Sequence, residues 1–142
     1  MTELLLKRLK NAFLLTSELF ESINEQNLSL KLKSLPSNTF GEQSWCIIGA
    51  RESYLLALQL GKWSGFSCSL KNINNKSDVL EKFRSTSSTI LTFLIENINL
   101  GINEEIIFNL LEHEVQHHGQ LIRYVYGNKL EFPKSWKERY NV

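Results

Sequence analysis

Glu112-His113-Glu114-Val115-Gln116-His117-His118-Gly119-Gln120-Leu121 contains all three histidines of the chain. It lies in a proline-free segment with apolar periodicity, and this predicts a helix. At about 100° per residue, His113 and His117 fall one turn apart on one face. Ile106 and Leu110 precede them on that stripe, and Gln120 and Tyr124 follow. A stripe that begins apolar and then carries two imidazoles, an amide and a phenol is suited to presenting chemistry inward. The rest of the chain reads as the scaffold that holds it.

Outward from this stretch, Asn103 is the expected N-cap, with Glu104 and Glu105 in the first turn where the helix dipole favours negative charge. The helix should end at Gly127-Asn128. Before it, a third helix is expected from a Ser77 cap to about Asn99. Its inner face is Val79, Phe83, Thr86, Ser87, Ile90, Leu94 and Ile98, and Gly101 follows its end. A second helix is expected over about 44–61. Trp45, Ile48, Gly49, Glu52, Leu55, Leu56, Gln59 and Trp63 share its stripe, and Gly61 is its stop. A first amphipathic helix over about 3–25 turns Leu5, Leu9, Phe13, Leu19, Phe20 and Ile23 inward. Residues 26–43, punctuated by Pro36 and Gly41, and residues 62–76 read as loops. The Phe132-Pro133-Lys134-Ser135-Trp136 tail should fold its two rings back onto the helices. There is no strand alternation and no repeat, so the fold class is all-α, a four-helix bundle.

The 142 residues suffice for one domain, 1–142, with a real core. Apolar content of 42% and charged content of 22% describe an ordinary globular chain. A net charge of +1 argues against a nucleic-acid partner. The apolar run at Leu4-Leu5-Leu6 breaks at Lys7-Arg8, so neither a signal peptide nor a membrane span is expected there. Two cysteines, Cys46 and Cys68, are too few for a disulfide framework. Cytoplasmic placement with free thiols is the expectation, and the apolar helix faces leave a homodimer open.

Two histidines at i, i+4 on an inward stripe commonly hold a transition metal; the bland alternative is a pair of polar residues at a bundle edge. A third protein ligand is then required. Glu52, near the centre of its apolar stripe, is the expected one. An unpaired buried carboxylate is costly, so it needs a cation or a donor. Its alternatives are an ion pair with Arg51 or Arg123, or solvent. Cys46 is the other candidate ligand, set against its reading as a small buried hydrophobe. His113-Glu114-Val115-Gln116-His117 also matches the H-E-x-x-H pattern of zinc peptidases. No strand is present to align a peptide substrate, and Glu114 sits about 100° off the histidine face. Glu114 is therefore expected beside the site or paired with His118. His118 lies off the ligand face, and nothing near Cys68 in sequence would activate its thiol.

The run His113-x-x-x-His117-x-Gly119-Gln120-Leu121, the tryptophan opening the second helix (Trp45) and the Pro133/Trp136 tail together resemble the DinB/YfiT-like superfamily of metalloenzymes. The resemblance spans most of the chain, and its fourth-helix motif is the specific part. It implies a four-helix bundle with a divalent metal, zinc or nickel. The implied ligands are the two fourth-helix histidines and a second-helix histidine. It further implies a small-molecule substrate, with a low-molecular-weight thiol as cosubstrate in S-transferase members and hydrolases among the others. The second-helix histidine is absent here, and Glu52 stands close to its place. The expected centre is therefore His113, His117 and Glu52 around a divalent ion, with Glu114, Gln120 and Tyr124 serving catalysis. A two-histidine, one-carboxylate set is also able to hold iron(II). The same departure equally fits a bundle that has lost its metal and serves as a binding or dimerisation module.

Overall fold

A computed structural model describes residues 3–142; Met1 and Thr2, the first residues of the expected domain 1–142, lie outside the described residues. The fold is all-helical. Its elements are α1 (Glu3–Ser22), a short 3₁₀ turn (Glu25–Ser29), α2 (Phe40–Leu60), α3 (Lys76–Glu96), α4 (Glu104–Gly127) and α5 (Lys134–Tyr140). No helix among the described residues is long and apolar enough to cross a membrane.

Two buried clusters reveal the helix directions. One joins the end of α1 (Leu15, Leu19, Phe20) to the starts of α2 (Phe40, Ile47) and α3 (Val79, Phe83) and the end of α4 (Leu121, Val125). The other joins the start of α1 (Leu5, Leu9, Phe13) to the end of α3 (Ile90, Leu94) and the start of α4 (Ile107, Leu110), with Tyr54 and Leu58 of α2 alongside. Thus α1 and α4 run one way, and α2 and α3 the other. α1 packs on α3 and α4, and α2 packs on the same two helices, so α1 and α2 stand diagonally. Most of the expected inward faces of α1 and α3 are buried, but Ser87 is half-buried and Ile98, also half-buried, lies past the end of α3.

Because α2 and α3 are parallel, the segment 61–75 must return along the length of a 21-residue helix, roughly 30 Å. It lies against α2. Ser53 Oγ donates to the Ser67 carbonyl at 3.1 Å and accepts from the Ser67 N–H at 3.0 Å. The Phe66 ring packs on Trp45 with centroids 5.0 Å apart and covers Gly49, where any side chain would strike it. This corrects the α2 stripe read from sequence. Trp45, Leu56 and Trp63 are 40%, 41% and 50% exposed, while Gln43, Ser44, Ile47, Ala50, Arg51 and Ser53 are buried. A helix covered by α3, α4 and a crossover has no single apolar face for periodicity to report.

The remaining boundaries follow local chemistry. α2 starts at Phe40, four residues earlier than expected, because Thr39 and Glu42 form a capping box. Thr39 Oγ1 accepts from Glu42 N–H at 3.1 Å, and the Glu42 carboxylate accepts from Thr39 N–H at 2.7 Å. Gly41 therefore begins a helix instead of breaking one, and its bare backbone lets the Ile73 carbonyl approach. Asn75, not Ser77, caps α3, accepting from Asp78 N–H at 2.9 Å. Asn103 caps α4 and Gly61, at φ +74°, ends α2, both as expected. The tail forms α5 and buries Trp136 completely, its indole N–H donating to the Leu15 carbonyl at 2.7 Å.

Candidate metal centre

α4 carries polar groups on two faces. His113, His117, Gln120 and Tyr124 face the first half of α2 or its entry. Glu114 and His118 point into the core toward α1. Pairs across the antiparallel α2–α4 contact follow in register: Gln43 with His117 and Gln120, Cys46 with His113, Arg51 with Glu114.

On the α2 side, one ligand atom each from Cys46, His113 and His117 gather within 4.8 Å of one another. Cys46 Sγ lies 3.8 Å from His113 Nε2, and the two imidazole rings have centroids 4.6 Å apart. Zinc bonds of about 2.0–2.3 Å at tetrahedral angles need ligand atoms roughly 3.3–3.6 Å apart. The Cys46–His113 pair, at 3.8 Å, is a few tenths of an ångström from that spacing, and the side-chain torsions would close the rest of a group that spans up to 4.8 Å. The group is thus able to bind a metal ion. Protonation suits this too. Burial pushes His117 down to about 4, with His113 beside it adding to the effect. Burial also lowers His113. Both rings are therefore neutral near pH 7, the form that offers a lone pair. Burial raises the Cys46 thiol, and a bound cation would reverse this by deprotonating it.

The surroundings hold His117 firmly and His113 loosely. His117 Nδ1–H donates to Gln43 Oε1, which leaves Nε2 as the free lone pair. Gln43 in turn donates from Nε2 to Gln120 Oε1 at 2.7 Å and to Asn38 Oδ1 at 2.8 Å, and Tyr124 donates its hydroxyl hydrogen to that same Asn38 oxygen. His113 Nδ1 is buried with no hydrogen-bond partner among the described residues. The other contacts of the ring are the Cys46 sulfur at Nε2 and the Tyr54 and His117 rings, so a cation at the cluster would tether it more firmly than these do.

The third corner expected from sequence is not at this place. Glu52 is absent from the cluster. Its carboxylate accepts from the Ser69 N–H at 2.8 Å and from the Ser69 hydroxyl, pinning the crossover to α2. Six residues of helix separate it from Cys46, about 600°, so the two side chains diverge by about 120°. The polar donor that a half-buried Glu52 required is a serine of the crossover, not a cation.

The core side carries a separate polar chain. Glu114 and Arg51 are both fully buried and form a bidentate pair, at 2.5 Å to Nη2 and 3.1 Å to Nε. Arg51 also donates from Nη1 to the Phe83 carbonyl at 3.1 Å and lies 4.1 Å above the Phe13 ring. Thr16 Oγ1 contacts both Glu114 Oε1 and His118 Nε2, and the Tyr140 hydroxyl reaches His118 Nδ1 at 2.6 Å. A carboxylate only accepts, so Thr16 donates to Glu114, His118 Nε2–H donates to Thr16, and Tyr140 donates to His118. Burial drives the Glu114 carboxyl upward, but the charge and hydrogen bonds of Arg51, with His118 and Thr16, hold it below its ordinary value. Burial takes His118 down to about 4, so it stays neutral in the chain.

The histidine pair stands together, with Gln120 linked to His117 through Gln43, and Tyr124 through Asn38 and Gln43. Glu114 does not. Both its oxygens are engaged and no part of it is exposed, so it has no access to a water at the cluster. The expected link of Glu114 to His118 exists, carried through Thr16. Gln43 and Thr16 escaped the sequence reading, and Arg51 was read there only as a partner for Glu52, whereas it pairs with Glu114. Their signal was present: polar residues set at core positions of helices whose neighbours are apolar must have partners. No family model and no curated protein matches this chain.

Proposed function

We propose that this chain is a metal-dependent enzyme of the DinB-like type in which Cys46, His113 and His117 hold one divalent ion. The reading rests on the convergence of three ligand atoms within 4.8 Å. Replacing the expected carboxylate by a thiol favours zinc over harder or oxygen-activating ions, with nickel next. Three protein ligands leave a position open to a small molecule. A zinc ion so held lowers the pKa of a bound thiol or water, which is the chemistry a thiol-dependent S-transferase or a related hydrolase requires. In this scheme Gln43 fixes the tautomer of His117, while Gln120 and Tyr124, by holding Gln43 and Asn38, set the wall beside the centre. Glu114 positions α4 and takes no part in chemistry. Its burial favours a second reading, a metal-binding bundle without turnover, because it removes the one carboxylate of the histidine motif that could act as a base.

The test uses untagged protein, stripped with chelator and titrated with zinc. One equivalent should bind. Cys46→Ser and His117→Ala should each weaken binding by at least about tenfold, whereas Glu52→Gln should bind as the parent does. Absence of stoichiometric zinc, or unchanged affinity in Cys46→Ser, would overturn the centre. Zinc-dependent consumption of a low-molecular-weight thiol with an alkylating electrophile then separates enzyme from binding module.

A further inference from the structure

From the hydrogen-bond pattern beside the centre we infer that the cavity walled by Asn38, Gln120, Arg123 and Ser37 is an anion site, receiving a small molecule through a carboxylate, phosphate or sulfonate group. The cavity measures about 320 Å³, has no acidic side chain in its wall, and is lined in part by Gln43, the hydrogen-bond partner of His117.

The inference follows a chain of directed hydrogen bonds. With Nε2 of His117 turned to the cluster, Nδ1 carries the hydrogen, so Gln43 presents its oxygen to it. The Gln43 amide then points both hydrogens the other way, one to Asn38 and one to Gln120, and each must answer with its oxygen. Tyr124 adds its own hydrogen to the same Asn38 oxygen. The side-chain amide oxygens of the wall are thereby all occupied. The NH₂ groups of Asn38 and Gln120 have no acceptor among the described residues. Ser37 Oγ already accepts from the Leu32 N–H at 2.9 Å, which leaves its hydrogen free. The Arg123 guanidinium, at the same wall, is in none of the ion pairs seen among the described residues. Free side-chain hydrogens of four residues, one of them cationic, meet in one concavity. Oxygen-rich anions complement that arrangement, and a guanidinium grips them through two parallel hydrogen bonds. That this anion belongs to the substrate of the metal centre rests on the function proposed above; the donor wall is testable without it.

The experiment is a titration of the full-length chain, zinc-free and zinc-loaded, followed by the side-chain amide signals of Asn38 and Gln120 and the Arg123 Nε signal in ¹H–¹⁵N NMR. The probes are inorganic phosphate, propionate and the uncharged propionamide. Phosphate or propionate should move all three sets of signals in both forms, and the stronger of the two identifies the anion class. Propionamide should leave them in place. Arg123→Gln should weaken the response by about tenfold, and Gln120→Glu, which sets a negative charge in the wall, should abolish it. Equal shifts with propionamide, an unchanged response in Arg123→Gln, or shifts confined to other surfaces would overturn the anion site. Zinc stoichiometry measured on the same samples tests the metal centre separately: zinc bound with no anion response removes this inference alone, and an anion response without zinc removes only the centre.

Discussion

Arg51→Met is the substitution whose cost the structure specifies best. The guanidinium gives two hydrogen bonds to Glu114, one to the Phe83 carbonyl and a longer one to the Thr86 hydroxyl, and it packs on the Phe13 ring. Methionine keeps the packing and removes the charge, so Glu114 is left fully buried with Thr16 as its remaining donor. Stranding one member of a buried ion pair costs about 3–5 kcal/mol. Against a total stability of about 5–15 kcal/mol this is a large share, and for a chain of this size it corresponds to a fall in Tm of roughly 10–20 °C. Urea unfolding at pH 7, followed by circular dichroism, measures it directly. The second variant, Arg51→Met with Glu114→Leu, removes both charges. Thr16 then keeps the Ala12 carbonyl, at 3.2 Å, as its acceptor. Stability should return to within about 1–2 kcal/mol of the parent, because a buried pair is close to neutral against an apolar replacement. A single variant that loses less than about 1 kcal/mol, or a double variant no more stable than the single, would refute the claim that this ion pair is what the core must satisfy.

Acid should weaken the fold early. His117 and His118 titrate near 4 when folded, against an ordinary 6.5. Between those values the unfolded chain takes up protons that the folded chain refuses. Stability is therefore complete above pH 6.5 and declines as pH falls toward 4, by on the order of 3 kcal/mol per histidine. Glu114, whose folded pKa is depressed, extends the loss to lower pH. Equal unfolding free energies at pH 7 and pH 5 would contradict this, and His118→Gln should flatten the slope. The crossover gives another prediction. A side chain at Gly49 would place its Cβ 2.8 Å from that of Cys68 and in collision with the Phe66 ring. Gly49→Leu should therefore lift the crossover from α2, cost about 1–3 kcal/mol and red-shift the fluorescence of Trp45. Parent-like stability and emission in that variant would show that the crossover does not bear on the helix.

The outer helices were legible because each has one wet side. Leu5, Leu9 and Phe13, or Val79, Phe83 and Ile90, repeat at helical spacing and are buried as that spacing says. The histidine face of α4 was legible for the same reason, with two imidazoles one turn apart. α2 was not, because α3, α4 and the crossover cover it on most sides, so apolar residues occur all around it. The periodicity argument then selected Glu52 over Cys46 on a stripe that faces the crossover. Which of two α2 residues meets α4 is a question of rotation about the helix axis, and a helix whose exposed positions include Trp45 and Leu56 has no polar solvent side to fix that angle. Thr39-Phe40-Gly41-Glu42 shows a different kind of miss. Its capping-box spacing was present, and the glycine inside it was read as a break.

The Arg51–Glu114 pair has a bearing on residues it never touches. α2 supplies Arg51 and Cys46, and α4 supplies Glu114 between His113 and His117. A bidentate grip of fixed geometry between these two rods therefore acts as an alignment pin: it sets how far one can slide or roll past the other. The spacing between sulfur and imidazoles on the same two helices is inherited from that pin, so fidelity at the ligand cluster is a property of the dry interior behind it.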